Sequence, residues 1–251
     1  MRIERLYRYP VKGLTAEALE EAHVEAGGAL PWDRAFALAQ GDSGFDAEQP
    51  VWMHKSNFMC LLKNARAAAL RAAFDPHDHC LTIRAPDGAF IAESPMTPRG
   101  RERIGQFLVQ YLGEEARGDA RFHYVPGHVF GDARTPAVTL IGLGSLHALE
   151  REVNAPRDHI RFRANIYFSG SPPWAELDWV DRTLQVGGAT LRVIKRTRRC
   201  NATQVNPATA ERDADPVREL MHAYGHADLG IHTEVVEGGR IAVGDTIAVL
   251  P

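Results

Sequence analysis

At 251 residues, with 45% hydrophobic and 24% charged side chains, the chain can form one large domain or two small ones around an ample core. Its net charge of −3 argues against a nucleic-acid binder, which normally presents a marked positive excess. No apolar run reaches membrane-spanning length, and the charged opening Met1-Arg2-Ile3-Glu4-Arg5 does not read as a signal peptide.

In chain order, Ile3 to Tyr9 alternates as a strand and stops at Pro10, and Arg34 to Gln40 alternates again. Asn64 to Phe74 is alanine-rich, yet a strand there would pair with Cys80 to Arg84 across Asp75-Pro76-His77-Asp78, and strand is the reading adopted. Cys80 to Arg84 and Ala89 to Glu93 flank the hairpin turn Ala85-Pro86-Asp87-Gly88. Thr97 to Leu112 reads as a helix, with Ile104, Phe107, Leu108, Tyr111 and Leu112 on one stripe and Gly113 as its stop.

A domain boundary is placed in the glycine- and charge-rich stretch Gly113 to Gly131, giving domains 1–122 and 123–251. Beyond it, Ala137 to Ile141 reads as a strand, Ser145 to Val153 as a helix and Arg163 to Phe168 as a strand. Thr183 to Val186 and Thr190 to Lys195 form a hairpin across Gly187-Gly188. A helix near Asp215 to Tyr224 precedes a final hairpin, Ile231 to Val236 with Arg240 to Leu250, around Gly238-Gly239. Strands dominate and do not alternate regularly with helices, so the fold class is mainly β with a few helices, α+β, and not a doubly wound parallel sheet.

Several candidate motifs have plainer readings. Gly142-Leu143-Gly144-Ser145-Leu146-His147 follows a strand as a dinucleotide fingerprint would, but His147 replaces the third glycine and no adjoining βαβ unit is evident. A helix cap at Ser145 is the expectation. His77, Asp78, His79 and Cys80 sit in a predicted turn, and His222 and His226 at the end of a helix; both groups read as surface polar residues. Cys60, Cys80 and Cys200 are odd in number, far apart and without a CxxC. That fits a reducing cytoplasm and excludes a disulfide framework or a four-thiolate metal site built from this chain.

Cys200 stands out by its neighbours Lys195, Arg196, Arg198 and Arg199. Positive charge stabilises the thiolate, and soft thiolate sulfur suits soft or high-valent transition metals. A buried structural cysteine beside a solvated basic edge is the competing reading. Lys12, Arg34, Arg163 and Asn165 would tip the balance if they met Cys200 in one pocket, which spacing alone cannot show.

Four segments carry a family resemblance. Leu6-Tyr7-Arg8-Tyr9-Pro10-Val11-Lys12-Gly13 resembles the opening of the MOSC N-terminal β-barrel domain. Arg161-Phe162-Arg163-Ala164-Asn165-Ile166 resembles the RFRPN motif of the MOSC domain, named for the C-terminal domain of molybdenum cofactor sulfurase. Arg199-Cys200-Asn201-Ala202-Thr203 with Val205-Asn206-Pro207 is similar to its cysteine segment, and Gly239 to Asp245 to its closing strand. The resemblance implies an N-terminal barrel-like domain packed on a MOSC barrel, similar to the bacterial and mitochondrial amidoxime-reducing proteins.

It further implies that Cys200 ligates molybdenum in a pterin-based cofactor, held by Lys12, Arg34, Arg163, Asn165 and Arg199, with Lys55 as a further charge. An anionic cofactor needs such a cationic cradle. Three positions depart from the family pattern. Gly13 stands for a serine, Asn206 for an aspartate, and His232 for an aromatic residue near the metal. His232 reads either as a proton donor or as a strand residue facing solvent.

The implied activity is reduction of N-hydroxylated compounds, with electrons from a separate ferredoxin- or cytochrome-like donor protein. Two alternatives are a sulfur carrier bearing a Cys200 persulfide supplied by a cysteine desulfurase, and a cofactor-binding module without turnover. A cytoplasmic protein with no nucleic-acid or membrane partner and no pyridoxal phosphate site is expected.

Overall fold

The computed structural model describes residues 1–251. In the first half the strands are β1 (Arg2–Arg8), β2 (Glu17–Leu19), β3 (Glu21–Val24), β4 (Phe36–Ala39), β5 (Arg71–Asp75), β6 (Cys80–Arg84) and β7 (Phe90–Glu93). Helix α1 (Pro98–Leu112) and β8 (Arg121–Tyr124) follow. The second half contains β9 (Val138–Gly142), α2 (Leu143–Val153), β10 (Ile166–Ser169), β11 (Thr183–Val186) and β12 (Ala189–Arg198). It closes with α3 (Pro216–Tyr224), β13 (Asp228–Glu237), β14 (Gly239–Ala242) and β15 (Ile247–Val249). Strands dominate and the α-helices number three, the α+β class expected. No helix is long and apolar enough to cross a membrane.

One eight-stranded sheet, ordered β15-β11-β12-β13-β9-β10-β1-β2, organises the second half and recruits the N-terminus. β1 joins it because its apolar residues Ile3 and Leu6 both point inward. They lie three apart, and a bulge between Ile3 and Arg5 restores the facing that simple alternation would break. β3 pairs with β14, so the first two dozen residues hold on to the last dozen. The first half forms the ladders β4-β8 and β5-β6-β7 over a core that includes Phe36, Phe74, Ile104, Leu108 and Phe122.

Helix α1 follows its sequence signals. Thr97 accepts a hydrogen bond from the Gly100 N–H at 3.0 Å and Pro98 opens the first turn. Ile104, Leu108 and Leu112 are buried at i, i+4 and i+8, and Gly113 ends the helix with φ 58°.

Four expectations are corrected. The 64–74 run splits: Ala65–Ala69 is a 3-10 turn and only Arg71–Asp75 is strand. Asn64 directs this, because its side chain accepts from the Cys60 N–H and donates to the Glu115 carbonyl, tying the segment into a turn. The final hairpin does not form between its two halves. β13 pairs with β12 and β9, while β14 and β15 pair with β3 and β11, partners remote in sequence.

The chain also contains a βαβ unit where none was evident, since β9 and β10 are parallel across α2. Ser145 does not cap α2. It is fully buried, its hydroxyl donates to Glu176 at 2.8 Å, and the Gly142 N–H donates to the other Glu176 oxygen at 3.2 Å. A buried carboxylate, not an external ligand, therefore occupies the start of α2.

Candidate functional site

Lys12, Arg34, Arg163 and Cys200 meet in one cavity of about 600 Å³ between the two halves of the chain. Lys55, Arg199 and His232 line it as well. Ten lysines and arginines face two aspartates around its wall, a charge ratio that favours an anionic ligand.

The inner wall is built on Tyr9, which is fully buried at the end of β1. Its backbone N–H donates to Asp33 Oδ1 at 2.7 Å, and Asp33 also pairs with Arg34. The guanidinium carbons of Arg34 and Arg163 lie 4.5 and 4.3 Å from the centre of the Tyr9 ring, within cation–π range. Arg34 further donates to the Arg163 carbonyl at 2.9 Å. Both arginines adopt left-handed backbone, φ 51° and 53°, which costs an ordinary residue about 1 kcal/mol or more and persists where the surroundings enforce it. Burial pushes the Arg163 guanidinium down to about 10, which leaves it protonated at neutral pH.

Cys200 follows the last residues of β12. That strand carries register shifts between Val193 and Lys195 and between Arg196 and Arg198. Bulges rotate side chains out of strict alternation, and every residue from Lys195 to Cys200 reaches the cavity. Cys200 is half-buried and stands before the 3-10 turn Asn201–Gln204. Lys55 Nζ lies 3.1 Å from its sulfur. Burial would lower the Lys55 ammonium, but Asp132 and Cys200 offset this and hold it above its ordinary value. Arg212 clamps the region, donating to the carbonyls of Leu61, Leu62 and Asn201 within 3.0 Å.

Sequence reasoning missed Asp132, Cys60 and Trp52, which also line the cavity. Asp132 bridges Lys12 at 2.5 Å and Lys55 at 3.8 Å. Its side chain is 55% exposed because it opens on the cavity. Burial would raise its carboxyl, but Lys12 and Lys55 outweigh that and hold it well below the usual carboxylate range. No local sequence signal announces Asp132, whose role comes from partners 120 and 77 residues away.

Three expected site residues differ in place or state. Asn165 is fully buried, and its amide accepts from the Thr139 N–H and hydroxyl and donates to the Tyr7 carbonyl. It braces β1 against β9 and is not on the cavity wall. Arg199 reaches the wall but donates to the carbonyls of Leu229 and Phe162, which occupy its guanidinium. His232 faces the cavity, not solvent, with Nδ1 2.7 Å from the Thr197 hydroxyl. Burial pushes its imidazole down to about 3, with Lys195, Arg199 and Arg34 acting in the same direction, so the ring is neutral at pH 7 and is no ready proton donor in this state.

The two remaining departures have local causes. Gly13 has φ +86°, and a Cβ there would lie 2.9 Å from the Met59 carbonyl oxygen, so the site excludes the serine hydroxyl. Asn206 is a turn residue, bonded to the Ala208 N–H and to Asp213, which in turn holds Arg161. No group of three or more His, Cys, Asp or Glu side chains is placed to hold a metal.

No curated protein matches the chain. Among solved structures, the YuaD protein of Bacillus subtilis is 14% identical over 98% of this chain and 93% of that one, with a TM-score of 0.45. YiiM of Geobacillus stearothermophilus is 16% identical over 45% of this chain and 54% of that one, with a TM-score of 0.36. Family models are decisive: the MOSC N-terminal beta barrel domain matches residues 1–120 and the MOSC domain residues 119–248. With nearly every residue assigned to one model or the other, the chain belongs to the MOSC family and carries its N-terminal barrel domain.

Proposed function

We propose that the protein is a molybdenum-cofactor enzyme that reduces N-hydroxylated compounds, with Cys200 as the metal ligand. One observation carries the reading: a half-buried thiol touched by an ammonium group opens into a cavity whose charged lining is predominantly cationic. The residues present fit such a group. A pterin phosphate and dithiolene are anionic, and Arg134, Lys195 and Arg198 line the cavity without a carboxylate or carbonyl partner.

In this reading Cys200 supplies the thiolate, and Lys12, Lys55, Arg34 and Arg163 bind the pterin and its phosphate. Arg199 acts indirectly, by tying the chain just before the thiol to the Leu229 and Phe162 carbonyls. When bound, the metal supplies the two-electron oxygen chemistry, which no side chain of the protein can perform. Lys55 donates to the Cys200 sulfur, Thr197 orients the His232 ring, and the neutral His232 accepts or relays a proton only once added negative charge raises its affinity. Electrons come from a separate donor protein.

The test is reduction of an N-hydroxylated amidine by cofactor-loaded protein with a reconstituted donor. The reading expects turnover that disappears in Cys200→Ser. Full turnover by metal-free protein contradicts it.

A further inference from the structure

Asp132 faces Lys12 and Lys55 from across the cavity and is held there by little else. One carboxylate oxygen lies 2.5 Å from Lys12 Nζ and the other 3.8 Å from Lys55 Nζ. The Lys12 side chain is only 7% exposed, and its other partner is the Phe130 carbonyl at 2.9 Å. A buried ammonium thus relies on Asp132 for its close charged partner.

The chain on either side explains how the carboxylate is presented. Phe130 is anchored in a small core beside Phe58, and its N–H donates to the Arg34 carbonyl at 2.8 Å. Packing ends there. A Cβ at Gly131 would meet nothing closer than 3.7 Å, and the Asp132 side chain is 55% exposed, its one hydrogen bond running to Lys12. Charge, not packing, keeps Asp132 in place. Two ammonium groups converging on one carboxylate also form the arrangement that an external oxyanion would need.

We propose that Asp132 is the built-in counter-ion of an oxyanion subsite. Its carboxylate stands where a phosphate-like group of the ligand meets Lys12 and Lys55, and it swings aside when that group binds. The empty protein thereby avoids an uncompensated buried ammonium. Any entering anion must outcompete a tethered carboxylate at high effective concentration, so the subsite selects ligands that engage both lysines at once. This inference rests on the reading that the cavity takes an anionic ligand, and not on which metal that ligand carries.

The experiment is calorimetric titration of inorganic phosphate into cofactor-free wild type, Asp132→Asn and Asp132→Glu. Removing the competing charge should tighten phosphate binding roughly tenfold in Asp132→Asn, while Asp132→Glu stays within about twofold of wild type. The gain should shrink in the Asp132→Asn, Lys55→Gln double variant. Phosphate should also raise the melting temperature of Asp132→Asn more than that of wild type, which shows binding to folded protein.

Equal or weaker binding in Asp132→Asn, a gain indifferent to Lys55, or no phosphate binding by either protein overturns the proposal. Molybdenum content separates it from the functional reading. Tightened phosphate binding in a protein that never takes up molybdenum removes the cofactor and keeps the subsite. Retained molybdenum with unchanged phosphate affinity does the reverse.

Discussion

The ammonium of Lys55 lies 3.1 Å from the sulfur of Cys200, although 145 residues separate them in the chain. The contact crosses between the two halves of the molecule. Lys55 belongs to a short 3-10 turn, Lys55–Asn57, capped by His54, and Cys200 stands just beyond β12 of the large sheet, before the 3-10 turn Asn201–Gln204. Their meeting places the thiol against a fixed positive charge, the condition under which sulfur acts as nucleophile or metal ligand.

Lys55→Gln should therefore slow alkylation of Cys200 by iodoacetamide at neutral pH. A partly exposed contact of this kind is worth about 1 kcal/mol, or roughly fivefold in rate. Measured in a Cys60→Ser, Cys80→Ser background, an unchanged rate would mean that the contact does not influence the sulfur.

Gly13→Ala should destabilise the protein by about 2 kcal/mol, because an added Cβ combines a strained positive φ with a close backbone contact. The opposing atom is the Met59 carbonyl oxygen, 2.9 Å away, and it cannot rotate aside as a side chain would. Urea denaturation gives the number directly. A neutral result would show that the 10–14 turn shifts freely.

His232 should make the protein acid-sensitive. Its imidazole is pushed from 6.5 down to about 3 by burial and by neighbouring cations. Between those values the unfolded chain binds the proton and the native protein does not, so stability falls as pH falls through the window. His232→Gln removes that contribution. Relative to its own stability at pH 7, the variant should lose about 2 kcal/mol less than wild type on going to pH 4.5. Parallel losses in the two proteins would place the ring in a more open setting.

Arg212→Ala should loosen the thiol loop without unfolding the molecule. Arg212 is exposed, yet it joins the Leu61–Leu62 backbone to Asn201. Hydrogen exchange should quicken in residues 60–64 and 200–205, with β12 and β13 unchanged. Uniform acceleration across the sheet would instead make Arg212 a support of the whole fold.

Local signals carried much of this fold. The cap and stripe of α1, the β6-β7 turn and the strand runs of β1 and β4 all depend on residues within a few positions of each other. Pairings between remote segments left no such trace. Val24 against Gly239 and Leu184 against Val249 split what looked like one terminal hairpin, and Asn64 turned the first part of an apparent strand into a 3-10 segment.

The site divides in the same way. Cys200 and its basic neighbours stand out along the chain, and Lys12, Arg34 and Arg163 were legible through the family resemblance. The stacking of Arg34 and Arg163 on the Tyr9 ring, and the meeting of all four in one cavity, are properties of the folded chain alone. Asn165 shows the opposite case: a motif residue whose amide is spent on backbone and Thr139 contacts that spacing cannot register. The ionisation of His232 depends first on its burial and then on Lys195, Arg199 and Arg34, two of them in the adjoining strand region and one from the other half of the molecule.

Molybdenum content tests the central claim most directly. The protein and its Cys200→Ser variant would be made in a host with verified cofactor synthesis and analysed for metal and releasable pterin. The account predicts near-stoichiometric molybdenum in the first and a large drop in the second. Absent metal in both, or equal metal in both, would contradict it.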